Sequence, residues 1–106
     1  MTNNIQRLTD FELIQGEYFT ITIQCRKPNN STVDVSAFTS SLKVYQYGNR
    51  DVEILSIVGG VVDSNKISFK LSSINTNILY GKLEYVIEVA YSNGDKNMGL
   101  GYITMM

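Results

Sequence analysis

Apolar and polar positions alternate most regularly in the last third of the chain. Five apolar or aromatic residues occupy every second position there: Leu83, Tyr85, Ile87, Val89 and Tyr91. Because successive side chains of a strand point to opposite faces, this spacing places all five on one face of a strand. Asn93-Gly94 follows and is typical of a tight turn, since both residue types tolerate positive φ. Residues 79–106 are therefore predicted to form a long antiparallel hairpin.

Shorter alternating runs fill the rest of the chain, separated by Gly, Asn, Ser and Asp about every eight to twelve residues. The predicted strands and extended pieces are residues 11–13, 19–25, 33–35, 42–47, 52–58, 61–62 and 67–71. Turns are predicted at residues 48–51 and 63–65. One short helical turn is predicted at residues 72–77, with Ser72 or Ser73 as its N-cap.

In total, the sequence predicts about seven or eight strands and almost no helix. It predicts an all-β fold, an immunoglobulin-like antiparallel β-sandwich, with a small closed barrel as the alternative. Residues 1–10 are assigned to an N-terminal arm and residues 11–106 to the sandwich. The chain has no tryptophan and one cysteine, so it lacks the Cys–Trp–Cys core of antibody domains. Tyr85 and Tyr80 are equal candidates for the tyrosine corner of such sandwiches.

Composition narrows the partners that the chain is expected to bind. Its 106 residues are the size of one domain, and its net charge of −1 comes without any run of like charges, so no nucleic acid is expected. No apolar run approaches the roughly 20 residues of a membrane span, and no apolar secretory signal begins the sequence, so neither a membrane partner nor export is expected. Cys25 is in phase with Ile21 and Ile23, which predicts a small buried side chain, and as the single cysteine it has no partner for an internal disulfide.

The sequence offers little catalytic chemistry. It contains no histidine, which removes the commonest general base near neutral pH and the commonest transition-metal ligand. Glu84 and Glu88 share one face of a predicted strand, but four residues separate them by roughly 13 Å, more than the roughly 5–9.5 Å between glycosidase carboxylates. Both are expected to be solvated. The sequence predicts a protein without enzymatic activity, cofactor or bound metal.

Two short segments resemble binding motifs but lack the context of those motifs. Asp63-Ser64-Asn65 lacks the spaced acidic ligands of a calcium loop and is predicted to be a turn. Gly99-Leu100-Gly101 is not followed by a helix that could bind phosphate. Its glycines are expected to permit a bulge or the close approach of another segment.

Two tyrosines mark one candidate surface. Tyr45 and Tyr47 lie, together with Lys43, on the face opposite Leu42 and Val44 of their predicted strand. Exposed tyrosines can form cross-strand pairs, anchor a protein interface or stack on a sugar. All three roles stay open at the level of sequence.

Several segments resemble small domains of phage virions. Gly16-Glu17 precedes an alternating strand, as in the opening of those domains, and residues 32–36 are similar to their valine-aspartate-aliphatic-serine/threonine element. Residues 79–87 resemble their penultimate strand and residues 101–105 their closing strand. The family is the N-terminal domain of phage baseplate upper proteins, with related immunoglobulin-like modules of tails and capsids. The resemblance covers most of the chain in order and implies a structural role in the virion.

Two departures from this family shape the functional expectation. Baseplate upper proteins usually continue beyond this domain, whereas the sequence has the length of the sandwich alone, and residues 52–62 are more continuously apolar. We therefore expect an auxiliary (decoration) capsid protein, located in the virion after assembly in the host cytoplasm. Its expected partners are the major coat protein or other virion proteins. A tail or baseplate adaptor protein, and a carbohydrate-binding module with a glycan ligand, are the alternatives.

The segments expected to touch neighbouring subunits are the N-terminal arm, the C-terminal tail and the two tyrosines. The candidate interface residues are Ile5, Arg7, Leu8, Tyr45, Tyr47, Met105 and Met106.

Overall fold

The computed structural model describes residues 4–24, 38–63, 65–91 and 96–106. These residues form nine strands and one short helix: β1 (Asn4–Arg7), β2 (Phe11–Leu13), β3 (Phe19–Gln24), β4 (Thr39–Gln46), β5 (Asn49–Val58), β6 (Gly60–Asp63), β7 (Lys66–Leu71), α1 (Ser73–Asn77), β8 (Lys82–Ala90) and β9 (Lys96–Met105). The larger sheet has the order β1-β9-β8-β4-β5, with β2 also paired to β9, and the smaller sheet has the order β3-β7-β6. The predicted all-β sandwich is confirmed.

The strand order is that of immunoglobulin-like sandwiches. Those sandwiches place strands B, E and D in one sheet and C, F and G in the other, and variable-type domains add C′ to the second sheet. Here β3-β7-β6 follows B-E-D, and β9-β8-β4-β5 follows G-F-C-C′. All these pairs are antiparallel, whereas β1 and β2 run parallel to β9. The alternation pattern did not predict the parallel pairs, because strands of either direction share the two-residue period.

The core lies between the two sheets and consists mainly of the predicted alternating positions. The three central strands contribute these residues to the core cluster: Leu83, Tyr85, Ile87 and Val89 of β8, Leu42 and Val44 of β4, and Ile67, Phe69 and Leu71 of β7. Tyr91, predicted on the same face of β8, is half-buried against Phe38, with ring centroids 4.6 Å apart. The predicted turn at Asn93-Gly94, the extended piece at 33–35 and Cys25 lie outside the described residues.

The N-terminal segment forms one edge of the larger sheet in two steps. β1 pairs with β9 up to Arg7, and β2 resumes the pairing at Phe11. Three residues separate Arg7 from Phe11, whereas two separate their partners Leu100 and Ile103 on β9. The extra residue makes a bulge. Asp10 compensates for the interrupted pairing, because its carboxylate accepts the Tyr102 N–H at 3.0 Å. Residues 4–7, which the sequence assigned to an N-terminal arm, are thus a strand of the sheet.

Two glycines of β9 allow side chains to approach its backbone closely. Leu8 packs against the core above Gly99, where an added β-carbon would lie 2.5 Å from the leucine side chain. Gly101 lies in the same way against the ring of Tyr85, at 2.4 Å from the place of an added β-carbon. The close approach predicted for both glycines is confirmed.

The short helix begins where the sequence predicts. The Ser72 Oγ accepts the Asn75 N–H at 3.1 Å, and the Asn75 Oδ1 accepts the Ser72 N–H at 2.9 Å. This reciprocal pair is a capping box, so Ser72, one of the two predicted caps, starts α1.

The turn between β4 and β5 is shorter than predicted. It consists of the two residues Tyr47-Gly48, and Asn49 already belongs to β5, whereas the prediction placed the turn at residues 48–51. Gly48 has a φ of 76°, a conformation that glycine adopts without strain and that closes a hairpin in two residues. The polar residues after it therefore extend the strand.

Neither tyrosine forms the predicted tyrosine corner. Such a corner joins the tyrosine hydroxyl to backbone a few residues upstream. The Tyr85 ring is buried, but its hydroxyl donates to the carbonyl oxygen of Thr9, at the distant N-terminal bulge. Tyr80 is 78% exposed. The hydrogen bond of Tyr85 instead ties β8 to the connection between β1 and β2.

Because the Tyr85 hydroxyl is buried and hydrogen-bonded, we expect the folded protein to lose stability at alkaline pH. Burial, together with the negative charge of Asp10, raises the pKa of Tyr85 from 10.0 to about 12. The folded state thus favours the neutral hydroxyl of Tyr85. The contribution of this hydroxyl to the free energy of unfolding is complete below pH 10.0 and is lost as the pH rises to about 12. Urea unfolding across this range should show a larger loss in the parent chain than in Tyr85→Phe, because every other titratable group is common to both proteins. A parallel loss in both proteins would contradict the assignment.

Candidate protein-binding site

Most basic side chains of the larger sheet are neutralised within that sheet. Lys43 and Tyr45 lie on its outer face, as the alternation predicts. Among the described residues, four ion pairs involve this sheet: Arg7 with Asp10 at 2.8 Å, Lys43 with Glu53 at 3.6 Å, Arg50 with Glu84 at 3.1 Å and Lys96 with Glu88 at 3.4 Å. Exposed pairs of this kind contribute little stability each, but they compensate charge locally.

Glu84 is not solvated, contrary to the sequence prediction. It is only 7% exposed, and its carboxylate accepts hydrogen bonds from the Arg50 Nε at 3.1 Å and from the Gly48 N–H at 3.2 Å. These partners come from the β4–β5 hairpin, so the carboxylate ties the turn of that hairpin to β8. Glu88 keeps a partly exposed side chain beside Lys96. The difference arises from the neighbouring strands, which the spacing of the two glutamates does not reveal.

Lys82 of the larger sheet packs on two aromatic rings and not against a carboxylate. Its Nζ lies 4.5 Å from the ring centroid of Tyr47 and 5.3 Å from that of Tyr102. The two rings are 5.6 Å apart, and the Arg7 guanidinium lies 4.7 Å from the Tyr102 ring. Within the described residues no carboxylate lies at ion-pair distance from Lys82. Its closest described contacts are therefore cation–π contacts.

Exposed apolar side chains occur where β2 and β9 end and where the chain enters β8. Hydrogen bonds connect the segments at this end: Met106 N–H to Leu13 O at 2.7 Å, Met105 N–H to Gly81 O at 2.8 Å, and the Gln15 side chain to Asn77 O at 2.8 Å. The exposed apolar residues of these segments are Ile14, Ile78, Tyr80 and Met106, which we call the C-terminal apolar patch.

Four of the predicted interface residues point outward, at two places. Arg7, Tyr45 and Tyr47 lie on the outer face of the larger sheet, where Arg7 is bound by Asp10 and Tyr47 packs on Tyr102. Met106 is 71% exposed and belongs to the C-terminal apolar patch.

The other three predicted interface residues have roles within the fold. Leu8 and Met105 pack against the core. Ile5 pairs through its backbone with Met98 of β9. The structure thus does not bring the seven predicted residues into one site.

The sequence interpretation missed other residues at these two places. Lys82, Tyr102, Ile78, Tyr80 and Ile14 were not selected, although all are at least partly exposed. One local signal was available for two of them. Tyr80 and Lys82 flank a glycine, a residue typical of turns, and turns lie at the surface of a protein. Gly81 has a φ of 72°, as such a turn requires.

An open cleft borders the C-terminal apolar patch through Tyr80. It has a volume of about 360 Å³ and lies between the β4–β5 hairpin and the segment that enters β8. The residues that line this Lys82 cleft are Gln46, Val52, Ile54, Tyr80, Gly81, Lys82 and Leu83. Ile54 and Leu83 belong to the core-facing side of the larger sheet, whereas the Lys82 ammonium lies over Tyr47 and Tyr102 on the outer face.

Within residues 4–24, 38–63, 65–91 and 96–106, no group of three or more His, Cys, Asp or Glu side chains is arranged to hold a metal ion. In the same ranges no helix has the length and apolar character needed to cross a membrane.

Comparison with known proteins supports the β-sandwich fold but does not identify a family. No protein-family model matches the sequence, and no curated protein does. A candidate glycoside hydrolase of Bacteroides vulgatus matches in structure with a TM-score of 0.51 and 9% identity, over 93% of this chain and 17% of its own. InlP of Listeria monocytogenes matches with a TM-score of 0.52 and 16% identity, over 96% of this chain and 27% of its own.

A third structure is that of the sulfur carrier protein SoxY of Chlorobium limicola, with a TM-score of 0.44 and 11% identity, over 97% of this chain and 84% of its own. At such identities a likeness concerns the fold alone. This chain also spans only 17% and 27% of the first two proteins, so it corresponds to a small part of each.

Proposed function

We propose that this chain is a non-enzymatic structural protein of a phage virion, an auxiliary (decoration) protein that attaches to the lattice of the major coat protein. The observation that carries the proposal is the C-terminal apolar patch, which exposes Ile14, Ile78, Tyr80 and Met106 at one end of the sandwich. The resemblance of the sequence to immunoglobulin-like domains of phage virions supports the same role.

The patch has the properties of a protein-binding surface. Exposed apolar groups are the part of a surface that a stable interface buries. Leu79 is fully buried between Ile78 and Tyr80, so core packing holds the backbone that carries these two side chains. A surface held in place before binding loses less conformational entropy when the partner docks. Contacts of modest size then suffice if neighbouring bound copies also touch each other.

The copy number of the chain in purified particles tests this proposal. Quantitative mass spectrometry should count this chain against the major coat protein in particles of the phage that encodes it. A shell protein is expected on the order of hundreds of copies, since it follows the coat lattice. A count of a few to a few dozen would contradict the decoration role and favour a tail or baseplate adaptor. Complete absence would overturn the virion role and favour the carbohydrate-binding alternative.

A variant of the patch tests the surface itself. Replacing both Ile78 and Tyr80 with serine should weaken attachment to particles that lack the chain by at least about tenfold, because two apolar side chains no longer transfer from water. Val58→Ser is the matched control, since Val58 is 81% exposed at the end of β5, outside the patch. Co-sedimentation with particles measures attachment, and circular dichroism checks the fold. Equal attachment of the double variant and the parent would exclude the patch as the binding surface.

Deletion of residues 1–8 is a less specific test. This deletion removes β1 and Leu8, which pair with β9 and pack against the core. Loss of attachment could then follow from loss of the fold, whereas the patch variants leave the core unchanged.

A further inference from the structure

We propose that this chain forms a two-fold dimer in which β5 of one copy pairs antiparallel with β5 of a second copy. The segment that carries the pairing is residues 54–58, which we call the β5 edge. This inference goes beyond the proposed function, because it concerns the contact of the chain with itself and not its contact with the coat lattice.

β5 is the last strand of the larger sheet. It pairs with β4 on one side, and no strand among the described residues pairs with its other side. The Gly59 N–H donates to the Ser40 carbonyl oxygen of β4 at 3.1 Å. Residues of an antiparallel strand direct both backbone groups alternately to one side and to the other. Ile57 therefore faces β4 in the same way as Gly59, whereas Ser56 and Val58 direct their N–H and C=O groups to the open side.

The β5 edge lacks the features that usually protect an open strand. Charged side chains, proline and bulges prevent an edge from pairing with another chain. The first half of β5 has Arg50, Asp51 and Glu53, and both irregularities of its register with β4 lie before Leu55. From Leu55 to Val58 the pairing with β4 is regular, and residues 54–58 include no charge and no proline. This half of the strand can therefore accept a further strand.

The polarity of the β5 edge is symmetric about its centre. The segment reads Ile54-Leu55-Ser56-Ile57-Val58, with the one polar residue in the middle. A two-fold axis at Ser56 places this serine opposite its own copy and Leu55 opposite Ile57 of the second copy. Leu55 and Ile57 pair with core residues of β4, pack against the core and are half-buried. Apolar side chains thus meet on one face of the joined sheets and serines on the other.

This symmetry favours a second copy over a foreign strand. A two-fold contact requires a surface that is complementary to itself, and an antiparallel pair of identical strands requires a segment that matches its own reverse. In the register centred on Ser56, the two serines exchange N–H···O=C bonds across the axis. Glu53 lies opposite Gly59 of the second copy, so no like charges face each other.

The strand after β5 extends the same side of the sandwich. β6 follows after Gly59 and is an edge of the smaller sheet. Val58, Val61 and Val62 are exposed along these two edges. Their burial adds an apolar contribution to the backbone pairing. A contact between strand edges belongs with the small interfaces, below roughly 1,200 Å² in total, so we expect a weak dimer that forms at micromolar concentrations or above.

Analytical ultracentrifugation of the whole chain tests this inference without any phage particle. From micromolar to submillimolar concentration, the weight-average mass should rise toward that of a dimer and no further. Ser56→Lys places two ammonium groups opposite each other at the axis, and it should raise the dissociation constant of the dimer at least about tenfold. Thr22→Lys is the matched control, since Thr22 is exposed on β3, an edge strand of the smaller sheet, and should leave that constant unchanged. Circular dichroism checks the fold of both variants.

Cross-linking tests the register. Residues opposite each other in an antiparallel pair have Cα atoms about 5 Å apart. In a Cys25→Ser background, which removes the single native cysteine, Ser56→Cys should therefore be joined to its own copy by a short bismaleimide. Thr22→Cys in the same background should stay uncross-linked at the same protein concentration.

The contrary outcomes are distinct from one another. A parent chain that stays monomeric at submillimolar concentration, or a dimer that Ser56→Lys leaves intact, would overturn the inference. Weakening by Thr22→Lys alone would place the contact on β3 instead. A monomeric chain whose Ser56→Lys variant loses attachment to particles would make the β5 edge a site for a coat segment. If the dimer forms as expected while purified particles lack the chain, the proposed function fails and the dimer stands.

Discussion

Replacing Gly101 with alanine is expected to lower the free energy of unfolding by about 2–3 kcal/mol. An added β-carbon would lie 2.4 Å from the Tyr85 Cε1, 2.5 Å from its Cζ and 2.6 Å from its hydroxyl oxygen. The ring is 1% exposed and its hydroxyl is bound to Thr9, so it has no free space to move into. Either β9 must shift from β8 or the ring must leave its site. Urea denaturation followed by circular dichroism measures the change.

Two comparisons separate this clash from a general effect of alanine. Gly60 has no atom within 4 Å of an added β-carbon, so Gly60→Ala should be neutral or slightly stabilising. Combining Gly101→Ala with Tyr85→Leu should cost less than the sum of the two single changes, because the shorter side chain relieves the contact. Additive costs, or a Gly101→Ala protein as stable as the parent, would contradict the close approach of Gly101 and Tyr85.

Truncating Phe69 to alanine is expected to destabilise the protein by about 3–5 kcal/mol. Phe69 is fully buried on β7, the central strand of the smaller sheet, and an added β-carbon on Gly59 would lie 2.8 Å from its ring. The loss combines the transfer of the ring from water with the cavity that remains. Since domains of this size are typically stable by only about 5–15 kcal/mol, we expect low soluble yield as well.

The neighbouring residue provides the control for this prediction. Lys70→Ala changes an exposed side chain on the same strand and should alter the free energy of unfolding by about 0.5 kcal/mol at most. Phe69→Leu should fall between the two, because part of the volume is retained. Chemical unfolding of the three variants ranks them. A Phe69→Ala protein within error of Lys70→Ala would mean that the ring is not part of the core.

A local feature could be predicted where the residues of a single segment determine it. Ile67, Phe69 and Leu71 alternate with polar residues, and all three are buried. Ser72 was one of two predicted caps and does cap α1, because an N-cap needs only its own side chain and the next turn of backbone.

The strand β1 shows why other elements were missed. Residues 4–7 are mostly polar and show no alternation, so their pairing could not be read from their own spacing. Their partner strand is far along the chain, since Arg7 and Leu100 are 93 residues apart. The bulge, the Asp10 acceptor and the bond from Tyr85 to Thr9 all depend on that distant pairing.

The candidate site was predictable only in part for the same reason. Tyr47 was selected from its position on a strand face, but Lys82 and Tyr102 come from two other strands. Alternation states which face a side chain occupies and not which strand lies beside it. The contact of the two rings with Lys82 therefore appears only once β4, β8 and β9 are neighbours.

By itself the sequence determined where the alternating strands lie, which of their faces enters the core and that the fold is all-β, because the two-residue period of a strand is local. Only the tertiary structure decided the strand order, the parallel edge at β9, the burial of Glu84 and the assembly of the Lys82 cleft. These features depend on which distant segments pair and in what register, and that choice is made by the packing of the two sheets as a whole.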